Sequence, residues 1–263
     1  MLFRFTPVLG LFLLTPPSIL QTRLSSDTNA DYEAYLARVQ PPLLQAARDK
    51  QLLPWLNSFS GDFDRVRKGE VPIHSLTPKF GQEVRDGIVH DWIGGIFMPG
   101  VTMDEVFAVI QNFDRQKDWY PEVIESKLLS KDGEVIRSRW LLLRKSLIEI
   151  VFNTELKSKY VELSPGQWLV ESATTSVREI EEYGTKKAKQ FEPGSGYGLM
   201  WRFNSYWTFQ QRPEGVYGEL RVISLSRQVP TGLGWAINPF IRSVPMQSVE
   251  NTLVNTRKAV KKS

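Results

Sequence analysis

The chain has 263 residues, 41% hydrophobic and 24% charged, with eight Trp, eight Tyr and fourteen Phe, which is a globular balance weighted toward large rings. A net charge of +4, part of it from Lys258, Lys261 and Lys262 at the end, is too small an excess for a nucleic-acid-binding protein. The absence of cysteine excludes disulfides, thiol nucleophiles, Cys-ligated zinc and lipoprotein anchoring. His74 and His90 are far apart, with no carboxylates at metal-ligand spacing, which excludes a histidine-rich metal site. Neither has a G-x-S-x-G motif to work with, which speaks against a serine hydrolase.

Residues 1–20 place Arg4 ahead of an apolar run from Val8 to Leu14, followed by Pro16 and Pro17. The run suits the h-region of a signal peptide and is too short to span a bilayer. Residues 1–25 are therefore expected to be a signal-peptide-like leader that exports the chain to a periplasmic or secreted location. No A-x-A pattern follows, so an apolar start to a cytoplasmic chain is the alternative.

Residues 26–80 are expected to form a helical and irregular amino-terminal extension wrapped on the main domain, with a separate partner-binding arm as the alternative. After the polar stretch 25–31, Tyr32, Tyr35, Leu36 and Val39 recur at helical spacing. Pro41 is expected to interrupt the helix before Leu43, Leu44 and Ala47 resume the pattern. From Leu53 to Phe80 no period is firm.

Residues 81–263 are expected to be the main domain. Gly87–Pro99 reads as a strand, with a bulge or bend at Gly94-Gly95. Thr102 with Glu105 makes a capping box, and Val106, Val109, Ile110 and Phe113 make a helical stripe. The chain then turns through Trp119-Tyr120-Pro121. The period drops to two in five further runs, roughly 135–143, 148–160, 168–180, 199–210 and 217–228. Turn signals separate them, including Lys131-Asp132-Gly133, whose Asp-Gly pair suits a hairpin. Helix returns from Gly232 to Ile241, with a restart at Val244-Pro245 and Met246, Val249, Leu253 and Val260 on one face. The fold class is α+β: a curved antiparallel sheet wrapped around a long carboxy-terminal helix, with room for a ligand between them.

This order, with the segments Val101–Phe107, Asp118-Trp119-Tyr120-Pro121-Glu122-Val123 and Pro239–Lys258, resembles the START-like (SRPBCC) superfamily of helix-grip proteins. The resemblance covers about residues 84–260. It implies a cavity for an apolar molecule and a role as lipid carrier, hydrophobic-ligand binder or polyketide cyclase, among which fold cannot choose. It also places Trp119 and Tyr120 at the cavity mouth.

Strand alternation sorts candidate site residues by face. Trp201, Phe203, Ser205, Trp207 and Phe209 share one side and suit a cavity wall. Met200, Arg202, Asn204, Tyr206 and Thr208 share the other, where they meet either a polar ligand head or solvent. Trp140 with Leu142, and Trp168 with Val170, are further inward positions. Arg139, Glu171, Arg178 and Arg221 are the strand charges able to form a buried pair and anchor an acidic head. The Gly-rich loop Phe191–Tyr197 suits a mobile gate but lacks the context of a phosphate-binding loop.

The candidate ligand-binding set is Trp119, Tyr120, Trp140, Trp168, Glu171, Trp201, Arg202, Phe203, Tyr206, Trp207 and Phe240. No catalytic residue, metal or cofactor is assigned. The favoured function is non-catalytic binding or transport of a lipid or other hydrophobic small molecule, with transient membrane contact and no nucleic acid as partner. One alternative is a polyketide cyclase or dehydratase using Arg202, Tyr206 and Glu171. The other is a protein-interaction domain whose pocket is filled by its own side chains.

Overall fold

The computed structural model describes residues 21–49, 53–145, 149–228 and 234–261, with the side chains of residues 80 and 234–242 outside the description. Residues 1–20 of the expected leader 1–25 also lie outside it. In chain order, β1 (Thr22–Arg23) and α1 (Ser26–Arg48) precede a 3₁₀ turn at Leu56–Ser58, α2 (Asp62–Arg67), β2 (Ile73–Ser75) and β3 (Gln82–Val84). The long strand β4 (Gly87–Pro99) leads to α3 (Met103–Ile110) and α4 (Gln116–Trp119). A meander follows, of β5 (Val123–Asp132), β6 (Val135–Lys145), β7 (Glu149–Ser164) and β8 (Gln167–Glu181). After the short β9 (Lys189–Gln190) and β10 (Ser195–Gly196) come β11 (Arg202–Arg212), β12 (Gly215–Arg227) and α5 (Gly234–Val260).

One antiparallel sheet runs in the order β2-β4-β12-β11-β8-β7-β6-β5, with β3 also on β4 and β9 also on β8. The face toward α5 is here called inner and the opposite face outer. The α+β helix-grip architecture expected from the order of elements is the one observed. The Thr102–Glu105 capping box is formed, and Val249, Leu253 and Val260 of α5 are buried in the inner core with Val106 and Val109 of α3. Strand β5 adds one strand ahead of the expected meander.

Three local expectations are corrected. Pro41 and Pro42 lie inside a continuous α1, although each removes a backbone donor. The helix is held instead by its contact face: Tyr32, Tyr35, Leu36, Leu43 and Ala47 are all buried on the sheet, and full burial of one such leucine is worth about 1.5–3 kcal/mol. At Gly94-Gly95 the β4–β12 register runs without a break. The two glycines serve close approach from opposite sides: a Cβ on Gly94 would stand 2.7 Å from Leu253 Cδ1 of α5, and one on Gly95 2.3 Å from Leu56 Cδ1. Helix α5 runs without a restart through Pro239 and Pro245.

The outer face of β4, β12, β11 and β8 is not solvated, because α1 and residues 53–66 cover it, whereas Arg137, Lys157 and Lys159 of β6 and β7 are exposed. A second core joins α1 and the Leu53–Leu56 segment to Ile93, Leu169, Tyr206, Tyr217 and Ile223 of the sheet. Polar groups within this layer are paired, as burial demands. Tyr32 Oη shares its one proton between Asn204 Oδ1 (3.0 Å) and the Ile223 carbonyl (2.9 Å). Asp91 is fully buried and accepts from Tyr35 Oη (2.8 Å) and from both arms of Arg221 (2.8 and 2.6 Å). Glu219, also fully buried, accepts from the backbone N–H of Trp55 (3.1 Å) and Leu56 (2.7 Å) and from Thr208 Oγ1 (3.1 Å), and burial pushes its carboxyl up to about 8.

Removing one member of a buried, hydrogen-bonded ion pair strands the other charge, so Asp91→Ala is expected to cost about 3–5 kcal/mol. Urea denaturation should show that loss, and Asp91→Leu combined with Arg221→Met should recover most of it.

Candidate functional site: the cavity beneath the final helix

Between the inner face, the α3–α4 segment and the Val244–Thr252 part of α5 lies a cavity of about 330 Å³. It arises from a pattern of side-chain size. The rows of the floor carry small hydroxyl residues at their centre, Ser158, Ser172 and Ser205, with Ser138, Ser224 and Ser226 beside them, and large rings around them. Trp207 and Tyr160 stand on one side of the serines, and Phe203, Trp140 and Phe152 on the other. A close-packed interior needs volume at every inner position, and serine supplies little, so the space stays open under the helix.

The cavity's polar groups have defined partners. Ser158 Oγ and Ser172 Oγ are 2.7 Å apart, and Trp140 Nε1 donates to Ser138 Oγ at 2.9 Å. His90, almost fully buried, brings Nε2 to 3.2 Å from Ser226 Oγ. Tyr120 Oη meets Thr256 Oγ1 of α5 at 2.8 Å, and burial pushes its phenol up to about 12. At the rim Arg144 pairs with Glu122 (3.2 Å) and donates to Ser248 Oγ (3.0 Å), while Asn251 Nδ2 donates to Glu122 (2.6 Å). This half-buried cluster ties β6 and the start of β5 to α5.

Of the sequence-derived set, Tyr120, Trp140, Phe203 and Trp207 line the cavity. Trp168 is on the inner side as expected, but it packs edge-on against Phe107 of α3 at 4.7 Å rather than lining the space. Trp119 packs against the inner core beside the guanidinium of Arg115. The side chain of Phe240 is outside the described residues.

The remaining four are corrected. Arg202 and Tyr206 lie on the outer face under α1, where Arg202 pairs with Glu33 and Asn29 and Tyr206 accepts from Gln40. Glu171 stands beside Tyr206 in register, on the same face. Neither of the alternatives posed for that face, ligand or solvent, holds, because a helix covers it. Trp201 belongs to the outer core as well. The alternation slips there: Trp201 N–H donates to the Leu225 carbonyl while Arg202 is the residue paired with Leu225, so two residues oppose one and the phase inverts. Met200 takes the inward place.

Among the strand charges, Arg221 does form a buried pair, with Asp91, but on the outer face. Arg139 pairs with Glu125 at an exposed position, and Arg178 approaches Glu155 at 3.8 Å. The acid–base trio of the cyclase alternative is therefore absent from the cavity. The third alternative also loses its premise, since the space between sheet and helix is open.

The loop expected to be a mobile gate is tied down. Its Gly194 carbonyl accepts from Leu24 N–H (2.7 Å), β10 pairs with β1, and the buried Glu179 carboxylate accepts from the backbone N–H of Tyr197 and of Leu199 (2.8 Å). Gly196 needs to be glycine here: its φ is +118°, and a Cβ would meet Glu179 Oε2 at 2.5 Å. The loop thereby delivers Leu199 and Met200 to the cavity wall.

The serines, His90 and the Arg144–Glu122 rim pair escaped the sequence-derived set. Two-residue spacing carries the signal for the floor, since Ser172 continues Trp168 and Val170 and Ser205 lies between Phe203 and Trp207. A serine in a strand, however, reads equally well as a solvated position. Among the described residues no group of three metal-ligating side chains is present, and no helix is long and apolar enough to cross a membrane.

Solved structures with a similar course of chain include a STAR-related lipid transfer protein fragment from Xanthomonas axonopodis, 14% identical, covering 68% of this chain and 96% of that one with a TM-score of 0.48. Human StAR-related lipid transfer protein 5 is 12% identical over 89% of this chain and 98% of its own, with a TM-score of 0.45. The Zhui aromatase/cyclase from a Streptomyces species is 7% identical over 67% and 93%, with a TM-score of 0.43. No protein-family model and no curated protein matches the sequence. By its own element order and sheet topology the chain has a helix-grip architecture, an antiparallel sheet packed against its long carboxy-terminal helix.

Burial pushes the carboxyl of Glu179 up to about 7, against the opposing effect of the loop N–H donors, with Arg227, Tyr197 and Glu181 as its titratable neighbours. A carboxyl whose folded pKa is raised stabilises the fold below its unfolded pKa, and that stability is lost as pH rises through the folded pKa. Stability is thus expected to decline between about pH 5 and pH 8, and Glu179→Gln should make this part of a thermal-unfolding profile taken across pH shallower, with the slope that remains coming from Glu219, whose carboxyl is raised in the same way.

Proposed function

We propose that this protein binds a hydrophobic small molecule or lipid in the cavity between sheet and carboxy-terminal helix, and carries it without chemical change. The observation that supports this is the cavity itself: about 330 Å³ of space walled by rings and aliphatic side chains, within the range of small-molecule sites. Release to or uptake from a membrane surface belongs to the same reading.

Native mass spectrometry of the full chain purified under gentle conditions is expected to show a bound apolar species, or uptake of an added fluorescent fatty acid. A folded protein that carries nothing and takes up nothing would overturn the proposal. Ser172→Trp places a ring at the centre of the floor, and should weaken uptake by at least about tenfold while costing the fold only about 1–3 kcal/mol.

Export is proposed as well, from the apolar run and the prolines of residues 1–20. Because β1 pairs with β10, and Ser25 caps α1 by accepting from the Thr28 N–H, removal of all 25 residues would strip both contacts. Amino-terminal sequencing of the protein from the exported fraction is expected to find cleavage ahead of Thr22. Recovery of the intact amino terminus from the cytoplasm alone would refute export.

A further inference from the structure

The floor of the cavity has a chemical pattern that bare apolar binding leaves unused. Ser158, Ser172 and Ser205 are directly opposite one another on β7, β8 and β11, so they form one row across three neighbouring strands. Adjacent strands are about 4.8 Å apart, which sets the spacing of the hydroxyls. Ser224 and Ser226 on β12 extend the polar ground toward His90 on β4.

These hydroxyls have hydrogen-bonding capacity to spare. Each offers one donor and two acceptor positions. Ser158 and Ser172 bond to each other, whereas Ser205 and Ser224, which also face the cavity, have no hydrogen-bond partner among the described residues. An acyl chain laid on this floor would leave them unsatisfied under an apolar cover, which is unfavourable. The flanking walls ask for something different. Trp207 and Tyr160 on one side of the row and Phe203 on the other present ring faces and edges, which pack well against planar groups.

We infer that the ligand is a flat, mostly apolar ring molecule with two or more hydroxyl or carbonyl oxygens along one edge, held with that edge on the row Ser158–Ser172–Ser205. The inference rests on the cavity-binding reading and narrows it to a chemical class. Oxygens about 5 Å apart on such an edge meet hydroxyls on successive strands, while the ring faces lie against the aromatic walls. The row then acts in specificity, discriminating by what is left unpaired when the oxygens are missing.

The test uses the full chain and a matched pair of probes, 1,8-dihydroxyanthraquinone and anthracene, titrated by quenching of tryptophan fluorescence with Trp140 and Trp207 in the cavity wall. The dihydroxyquinone is expected to bind at least about tenfold more tightly than anthracene. In the double variant Ser172→Ala with Ser205→Ala, that preference should shrink to within about twofold while anthracene affinity holds, because alanine keeps the floor small and the fold intact. Equal binding of the two probes, or a preference that survives the double variant, overturns the inference and leaves the apolar-carrier reading standing. If neither probe nor a fluorescent fatty acid binds, the carrier reading fails and takes the inference with it. The single variants Ser172→Ala and Ser205→Ala supply the same comparison should the double variant fold poorly.

Discussion

Each strand residue must point to one face of its sheet or the other, and in this protein the two faces meet unlike covers. The inner face meets α5 in close contact on β4 and across open space over the meander; the outer face of β4, β12, β11 and β8 meets α1 and residues 53–66 in close contact. Gly94 and Gly95 show the constraint at its tightest, since neighbouring positions on one strand admit Leu253 from one cover and Leu56 from the other. The different packing follows from side-chain size. Outward positions such as Ile93, Leu169, Tyr206 and Ile223 fill the gap to α1, whereas inward positions at the centre of the sheet are serines and leave a hollow.

Buried carboxylates recur where peripheral segments are fastened to the sheet. Asp91 receives α1 through Tyr35, Glu219 receives the Trp55–Leu56 turn through two backbone donors, and Glu179 receives the loop that carries Leu199 and Met200. Backbone N–H groups of an irregular segment have no sheet partner, so a buried acceptor is needed to satisfy them. The acids differ in electrostatic setting. Asp91 faces the guanidinium of Arg221, while Glu179 and Glu219 have mainly dipoles around them, and for both of those desolvation is the leading influence.

The cavity wall therefore depends on residues that never touch it. Glu179 orders a loop whose last residues close one side of the space, and the Arg144–Glu122–Asn251 cluster holds the helix that roofs it. The rings stand at the perimeter of the space and the serines at its centre.

Much of this is legible in the sequence. Local chemistry prescribes the strands, whose two-residue period needs no partner to be recognised, the Thr102 cap with its reciprocal Glu105, and the apolar stripe of the last helix. The inward phase of Phe203, Ser205 and Trp207 follows from the same period, as do Trp140 and Leu142. What covers the opposite phase does not follow, because Arg202, Tyr206 and Glu171 look alike whether they face water, a ligand or a distant helix. Arg202 finds Glu33, and Tyr206 finds Gln40, across more than 160 positions of chain. The slip at Trp201 is equally invisible, since it depends on which residue of β12 lies opposite. Period and capping are properties of neighbours along the chain. Register, cover and the size of a void are settled only when remote segments compete for the same space.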